Sequence, residues 1–304
     1  MNSKRLLFFW IVISFCLIQS SKSEAVNPDE DTTEQSSFGI NEMVMAKLGW
    51  KIAVQCWTYN NLTLFEALDN IQALGVHYVE LLSRQTVADD VPATIGPEMD
   101  ANSMSRVKTK LKETGIQAVA VWVDPFPKDE TSVRKLFLWA QELGIKVVTT
   151  EVDPEDQVAL AMAAKLCREF EIRIAVHNHP KPTTYWNPEF ALNVVKDFHP
   201  WIGLCPDTGH WYRSGLPTVE CLKKIDGHIV MLHYKDLNAD KRDVPFGTGV
   251  NHAADQLAEL KRQEFKGVIT IEYENWDAEQ YSELLQCVAF LNQAAARLAP
   301  SELR

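Results

Sequence analysis

Four side chains able to ligate a metal recur at regular places in this 304-residue chain: His177, Asp207, His233 and Glu272. Each stands just past a short apolar run: IRIAV before His177, WIGLC before Pro206 and Asp207, HIVML before His233 and GVITI before Glu272. Successive positions lie 30, 26 and 39 residues apart, enough for a strand, a helix and two loops. If the runs are neighbouring parallel strands of a closed barrel, their carboxyl ends meet at one mouth. Two imidazoles and two carboxylates there form a donor set for one divalent cation.

The elements that must carry these residues are visible as alternating patterns. Strand-like runs recur at 51–57, 77–82, 116–123, 145–150, 172–178, 201–207, 228–234 and 267–274. Between them lie amphipathic segments such as LFEALDNIQALG, SVRKLFLWAQELG and DQVALAMAAKLCREF. Gly75, Gly115 and Gly144 each close such a segment just before the next strand, where a left-handed helix cap belongs. Near-continuous apolar strands alternating with helices imply a parallel sheet covered by helices. Eight similar units, with no glycine-rich nucleotide loop after the first, favour a (β/α)8 barrel, a TIM barrel, over a doubly wound open sheet.

The chain begins with Lys4 and Arg5 ahead of an apolar stretch from Leu6 to Ile18 and then small polar residues, the plan of a secretory signal peptide over 1–23. That stretch is short for a bilayer span of about 20 residues, so no stable membrane insertion is expected after cleavage. Residues 24–46 form an acidic polar leader too poor in large apolar residues to fold alone. The catalytic barrel is expected over 47–304. Loss of residues 1–23 removes Lys4, Arg5 and Lys22 and no acid, so a formal charge of −11 becomes −14. Without a compensating basic cluster, a nucleic-acid partner is excluded. Cys56, Cys167, Cys205, Cys221 and Cys287 remain, an odd number at wide spacing that makes no disulfide framework. Cys56 and Cys205 lie at strand ends, so one of them is a candidate for lining the cleft. Assembly as a homo-oligomer is left open.

Four motifs in order, VHNHP (176–180), CPDTGHW (205–211), MLHYKD (231–236) and TIEYENW (270–276), resemble the sugar phosphate isomerase/epimerase family. These are xylose isomerase-like TIM barrels in the AP endonuclease family 2 superfamily. The resemblance runs from about Lys51 to Leu298. It implies one divalent metal held at the ends of strands five to eight, with Asp207, His233 and Glu272 matching the last three ligands. The first departs: the family usually has Glu where this chain has His177. A His, Asp, His, Glu shell leans towards Mn, Zn, Co, Ni or Fe rather than Mg.

Other residues should surround that centre. Glu274 points to the same side as Glu272 and is expected to salt-bridge near the rim. His179 and His210 could bond sugar hydroxyls, relay protons or support the ligands. Lys235 could place a positive charge near a developing enolate. Glu80 and Glu151 follow strands two and four and should point into the same mouth. Glu151 is a candidate base or a substitute ligand for the missing Glu, since either His177 or Glu151 could be the fourth ligand. Trp57, Trp122, Trp186, Trp211 and Trp276 fall near strand ends, where aromatic faces stack on sugars or cap the barrel. Gly247 and Gly249 permit backbone approach to a ligand, and the proline-rich stretch 180–189 is a candidate lid.

The resemblance implies a metal-dependent isomerase or epimerase acting on a small-molecule carbohydrate, and the signal-peptide plan of residues 1–23 makes it exported, periplasmic or secreted. Catalytic roles fall to Glu272, Glu151 and His179; substrate contacts fall to Glu80, Trp122, His210 and Lys235. No strand-end Lys/Arg group marks a phosphate clamp, so a non-phosphorylated sugar or keto-sugar is the expected substrate. Two alternatives stand beside this reading: a 3-keto-glycoside lyase or hydratase using the same site, and a non-catalytic carbohydrate-binding barrel. A repair endonuclease of the same superfamily is disfavoured by charge and export.

Overall fold

Each of the eight apolar runs contains one strand of a parallel sheet, shortened where the chain bends into a loop. The computed structural model describes residues 39–300; the expected signal peptide and most of the expected leader lie outside the described residues. The strands are β1 Trp50–Gln55, β2 Tyr78–Leu82, β3 Thr86–Ala88, β4 Val91–Thr94, β5 Gln117–Trp122, β6 Val147–Thr150, β7 Arg173–His177, β8 Ile202–Cys205, β9 Met231–Tyr234 and β10 Gly267–Ile271. Eight form one sheet in the order β8-β7-β6-β5-β2-β1-β10-β9, all parallel. Single parallel bridges, Leu204 with Ile229 and Asp207 with His233, join β8 to β9 and bring the two edges together. The result is a TIM barrel. The antiparallel β3–β4 hairpin is an insertion after β2.

Among the described residues ten α-helices accompany the strands: α1 Glu42–Leu48, α2 Leu64–Ala73, α3 Ala101–Thr114, α4 Glu130–Glu142, α5 Gln157–Phe170, α6 Pro188–Val195, α7 Thr208–Arg213, α8 Thr218–Lys224, α9 Ala253–Arg262 and α10 Gln280–Leu298. Several of their starts are fixed by side chains that accept from exposed N–H groups. Thr63 and Glu66 make a reciprocal capping box on α2, and Asp100, Asp129 and Asp156 cap α3, α4 and α5. Their ends follow the glycines: Gly75, Gly115 and Gly144 have φ of 67°, 68° and 78°.

Side chains alternate across each strand, so the barrel interior is built in layers. Ala53, Val119, Val147, Ala175, Cys205, Met231 and Val268 make a small apolar floor. On the same inward side, two residues further along, stand Thr149, His177, Asp207, His233 and Thr270, all buried. Outward residues such as Ile174 and Val176 pack under the helices in the main core.

The folded part starts earlier than Lys47. α1 occupies part of the expected leader, with Met45 fully buried and Leu48 nearly so. Asn292 of α10 accepts from the Asn41 N–H at 2.8 Å and donates to the Gly39 carbonyl at 2.7 Å. A helix of seven residues does not hold alone; burial of Met45 ties it to the barrel. Met45→Ala should therefore lower unfolding free energy by about 2–5 kcal/mol in urea titration. An unchanged midpoint would show that α1 contributes nothing to the domain.

Candidate metal centre

Asp207 shows how backbone geometry aims a ligand. It caps α7: its Oδ1 accepts from the His210 N–H at 2.6 Å. The amide of Asn178 clamps its backbone, accepting from the Asp207 N–H at 2.8 Å and donating to its carbonyl at 3.2 Å. Oδ2 is left over and points inward without a hydrogen-bond partner.

Around that oxygen the sequence-chosen residues converge. One ligand atom from each of His177, Asp207, His233 and Glu272 can be chosen so that all lie within 4.8 Å of one another, and all four residues are buried. His177 Nε2 stands 3.7 Å from Asp207 Oδ2, and His233 Nδ1 stands 2.8 Å from Glu272 Oε2 without the alignment of a hydrogen bond. Both nitrogens of His177, Asp207 Oδ2, His233 Nδ1 and Glu272 Oε2 all lack hydrogen-bond partners. A buried polar atom left so costs about 1–3 kcal/mol. Four of these atoms, one from each residue, fit a shared cation, and the mix of imidazole and carboxylate suits a divalent transition metal.

The tautomer of His233 is set from behind. Its Nε2 lies 2.8 Å from Glu80 Oε2; a carboxylate only accepts, so Nε2 carries the hydrogen and Nδ1 keeps its lone pair for the cluster. The Thr149 hydroxyl donates to the other oxygen of Glu80. Glu80 is fully buried, so the expectation that it contacts substrate is corrected: it orients a ligand.

Lys235 is the second correction. It is neither a rim lysine nor a group free to meet substrate, being fully buried with Nζ 3.0 Å from Asp207 Oδ2, 3.4 Å from Glu272 Oε2 and 3.2 Å from Glu274 Oε2. Burial works against its charge, but Asp207, Glu272 and Glu274 outweigh it and raise its proton affinity. The same positive charge acts in return. Burial alone would raise Asp207, yet His210 and Lys235 hold it well below the usual carboxylate range; burial likewise opposes Glu272, and Lys235 and His233 lower it. Both carboxylates are thus ionised.

Glu151 pairs with His179, its Oε1 2.6 Å from Nδ1. It also falls with His177 and His179 in a looser group of possible ligands. Its oxygen is already engaged, so Glu151 fits a partner of His179 better than a replacement ligand. That hydrogen bond comes first in raising the His179 proton affinity, against its partial burial. His210 stacks on His179 at 5.2 Å; its Nδ1 sits 3.1 Å from the Arg213 guanidinium, which only donates, so Nδ1 is the acceptor. Burial first, and Lys235 among its neighbours, keep His210 well below its ordinary value. Trp122 meets His177 and His179 edge-on at 5.1 and 5.9 Å.

The centre opens into a cavity of about 1200 Å³. Its walls include His177, His179, His210, His233 and Glu272, then Trp57, Trp122, Asn61, Arg84 and Asp89. The hairpin side of this wall was not visible as an element in the sequence. Glu274 bonds Arg213 at 2.5 Å, the rim salt bridge expected of it. Three expected cleft features lie elsewhere. Cys56 and Cys205 are buried and line no part of the cavity, Trp211 is buried core, and no residue of 180–189 lines it. Tyr185 instead anchors that stretch to the Val152 carbonyl at 2.8 Å. Gly247 and Gly249 approach not a ligand but Asp236, whose Oδ2 accepts from both N–H groups at 2.8 and 3.0 Å. A Cβ on Gly249 would stand 2.4 Å from Asp236 Oδ1.

If Glu80 acts through His233, Glu80→Ala should weaken metal affinity about 10–100-fold in a competitive chelator titration. Unaltered affinity would make the Glu80–His233 contact merely structural.

Residues 68–291 match the family described as xylose isomerase-like TIM barrel. No curated protein matches the chain. Among solved structures, an uncharacterised protein from Parabacteroides distasonis is 30% identical, covering 81% of this chain and 99% of its own, with a TM-score of 0.66. An L-ribulose 3-epimerase is 14% identical over 84% of this chain and 99% of its own, TM-score 0.64. A probable 3-DHS dehydratase from Bacillus anthracis is 13% identical over 79% and 98%, TM-score 0.60. The barrel and the length of the family match agree: the chain belongs to the xylose isomerase-like TIM barrel family.

Proposed function

We propose that this protein is a divalent-metal-dependent isomerase or epimerase that moves a proton beside the carbonyl of a non-phosphorylated sugar or keto-sugar. The observation that carries this reading is the convergence of unpartnered atoms from His177, Asp207, His233 and Glu272 at the floor of the cavity, with the His179–Glu151 pair beside them. A divalent ion held by those four residues would supply Lewis acidity to a carbonyl and its neighbouring hydroxyl.

The chain's own groups supply the rest. His179, with Nδ1–H given to Glu151, presents Nε2 as the proton carrier, and Glu151 stabilises the imidazolium once the proton arrives. Glu272 is the second candidate carrier, but Lys235 beside it keeps it ionised and weakly basic. Lys235 adds a fixed positive charge close to where substrate oxygen becomes negative. Trp57, 40% exposed, and Trp122 offer aromatic faces to an apolar sugar face. Among the described residues Arg84 is the only Lys or Arg on the wall, against Glu66, Asp89, Asp124, Glu272 and Glu274. That balance supports an uncharged substrate and disfavours both a phosphate ester and nucleic acid. Returning the proton to the neighbouring carbon isomerises; returning it to the opposite face of the same carbon epimerises.

A second reading, a lyase on 3-keto-glycosides, is favoured by His177 in the place of the family's usual Glu. It would use the same abstraction, after which the electron pair forms a double bond and the β-leaving group departs with a proton from His179. The opening Lys4–Arg5 pair and the Leu6–Ile18 stretch support export.

Proton NMR of candidate keto-sugars and 3-keto-glycosides in deuterated water separates these readings. Deuterium incorporation without elimination is expected; an unsaturated product supports the lyase, and saturable sugar binding without exchange would leave a binding barrel. Asp207→Ala should lose both metal and exchange while keeping its fold, and full activity in that metal-free variant would refute the proposal. His179→Gln should keep the metal and slow exchange by about 10²–10⁴-fold; wild-type exchange would remove His179 from the reaction.

A further inference from the structure

The opposite mouth of the barrel holds a second cavity. Here the strands begin, and a cavity of about 600 Å³ is lined by Lys51, Lys146, Arg173 and Lys266 over an apolar base of Val119, Val147 and Val268. Lys108, also on its wall, is paired with Glu142 at 2.9 Å. Among the described residues none of the other four has a carboxylate at ion-pair distance; Lys51 lies 5.0 Å over the ring of Tyr78.

Among the described residues Arg84, Arg168, Arg242 and Arg297 are likewise without a carboxylate at ion-pair distance, so what sets Arg173 apart is its place on the barrel's inner face. Arg134 binds Glu130 and Glu169, Arg213 binds Asp243 and Glu274, and Arg262 binds Asp226 and Glu259. Arg173 binds none. It lies on the inward side of β7, in line with Ala175 and His177, half-buried, and burial acts on its charge with no acid to offset it. The carboxyl ends of α3, α4 and α5 come to this mouth and attract nearby cations. They account for exposed lysines, not for an unpaired arginine on the barrel's inner face.

We propose that this mouth binds a small multivalent oxyanion of the phosphate type. A monovalent ion would leave most of the positive charge uncompensated. The cavity is within the range of about 300–1,000 Å³ common for small-molecule sites, and its apolar walls strengthen the field between the cations. The proposal is independent of the reaction assigned to the other mouth.

Isothermal titration of inorganic pyrophosphate into the full-length protein at low salt tests it, with Arg173→Gln and the double variant Lys146→Gln/Lys266→Gln alongside. Wild type should bind with 1:1 stoichiometry, weakened by added NaCl. Each variant should bind about tenfold or more weakly, with an unchanged melting temperature in the double variant, whose lysines are exposed. If Arg173→Gln does not fold, the double variant alone carries the comparison. No saturable heat in wild type would overturn the proposal, as would equal affinity in the variants, which would place any binding elsewhere, including at the metal centre.

Discussion

Two carboxylates, Asp207 and Glu272, are buried at one end of the barrel and must be compensated there. A buried unpaired charge is among the most costly features a fold can carry. Lys235 supplies one positive charge, within 3.4 Å of both. Lys235 is shared with Glu274 as well, and the nitrogens of His177 and His233 complete with the two carboxylates a donor set that fits a cation. The rest of the site is arranged around that need.

The supporting contacts explain why the donors aim inward rather than finding partners of their own. Asp207 gives one oxygen to the start of α7 and keeps the other. His233 gives its N–H to Glu80 and keeps its lone pair. Further out, Asp236 collects four backbone N–H groups, from Leu237, Gly247, Gly249 and Asn251, and so fixes the loop that follows β9. Of these carboxylates Glu80 joins parts of the barrel far apart in sequence, through Thr149 and His233. Their burial is a structural cost that prepares the ligands and the walls before any substrate arrives.

Sequence reasoning reached the barrel because parallel strands buried on both faces read as continuous apolar runs, and their periodic return is visible without coordinates. It brought the four candidate ligands together for the same reason, since each stands at the end of such a run and the ends of neighbouring parallel strands meet at one mouth. It misjudged Glu80 and Lys235, because period-two alternation says that a side chain points inward but not how deep it sits. The leader ends before residue 46 because α1 is held by burial of Met45 and by the Asn41–Asn292 bond, a contact across about 250 residues that local composition does not encode. The β3–β4 hairpin escaped because its strands are three and four residues long, with no periodicity to count. Gly247 and Gly249 were rightly marked as places of close approach, but the partner, Asp236, is a residue of the chain itself.

The central claim is a single cation in a mixed nitrogen and oxygen shell. X-ray absorption spectroscopy of protein loaded with cobalt, together with metal analysis, tests it most directly. The account predicts one equivalent per chain and a shell of nitrogen and oxygen with the scattering signature of two imidazoles, reduced to one in His177→Ala. No bound metal, a shell with sulfur, or a spectrum unchanged in that variant would contradict it.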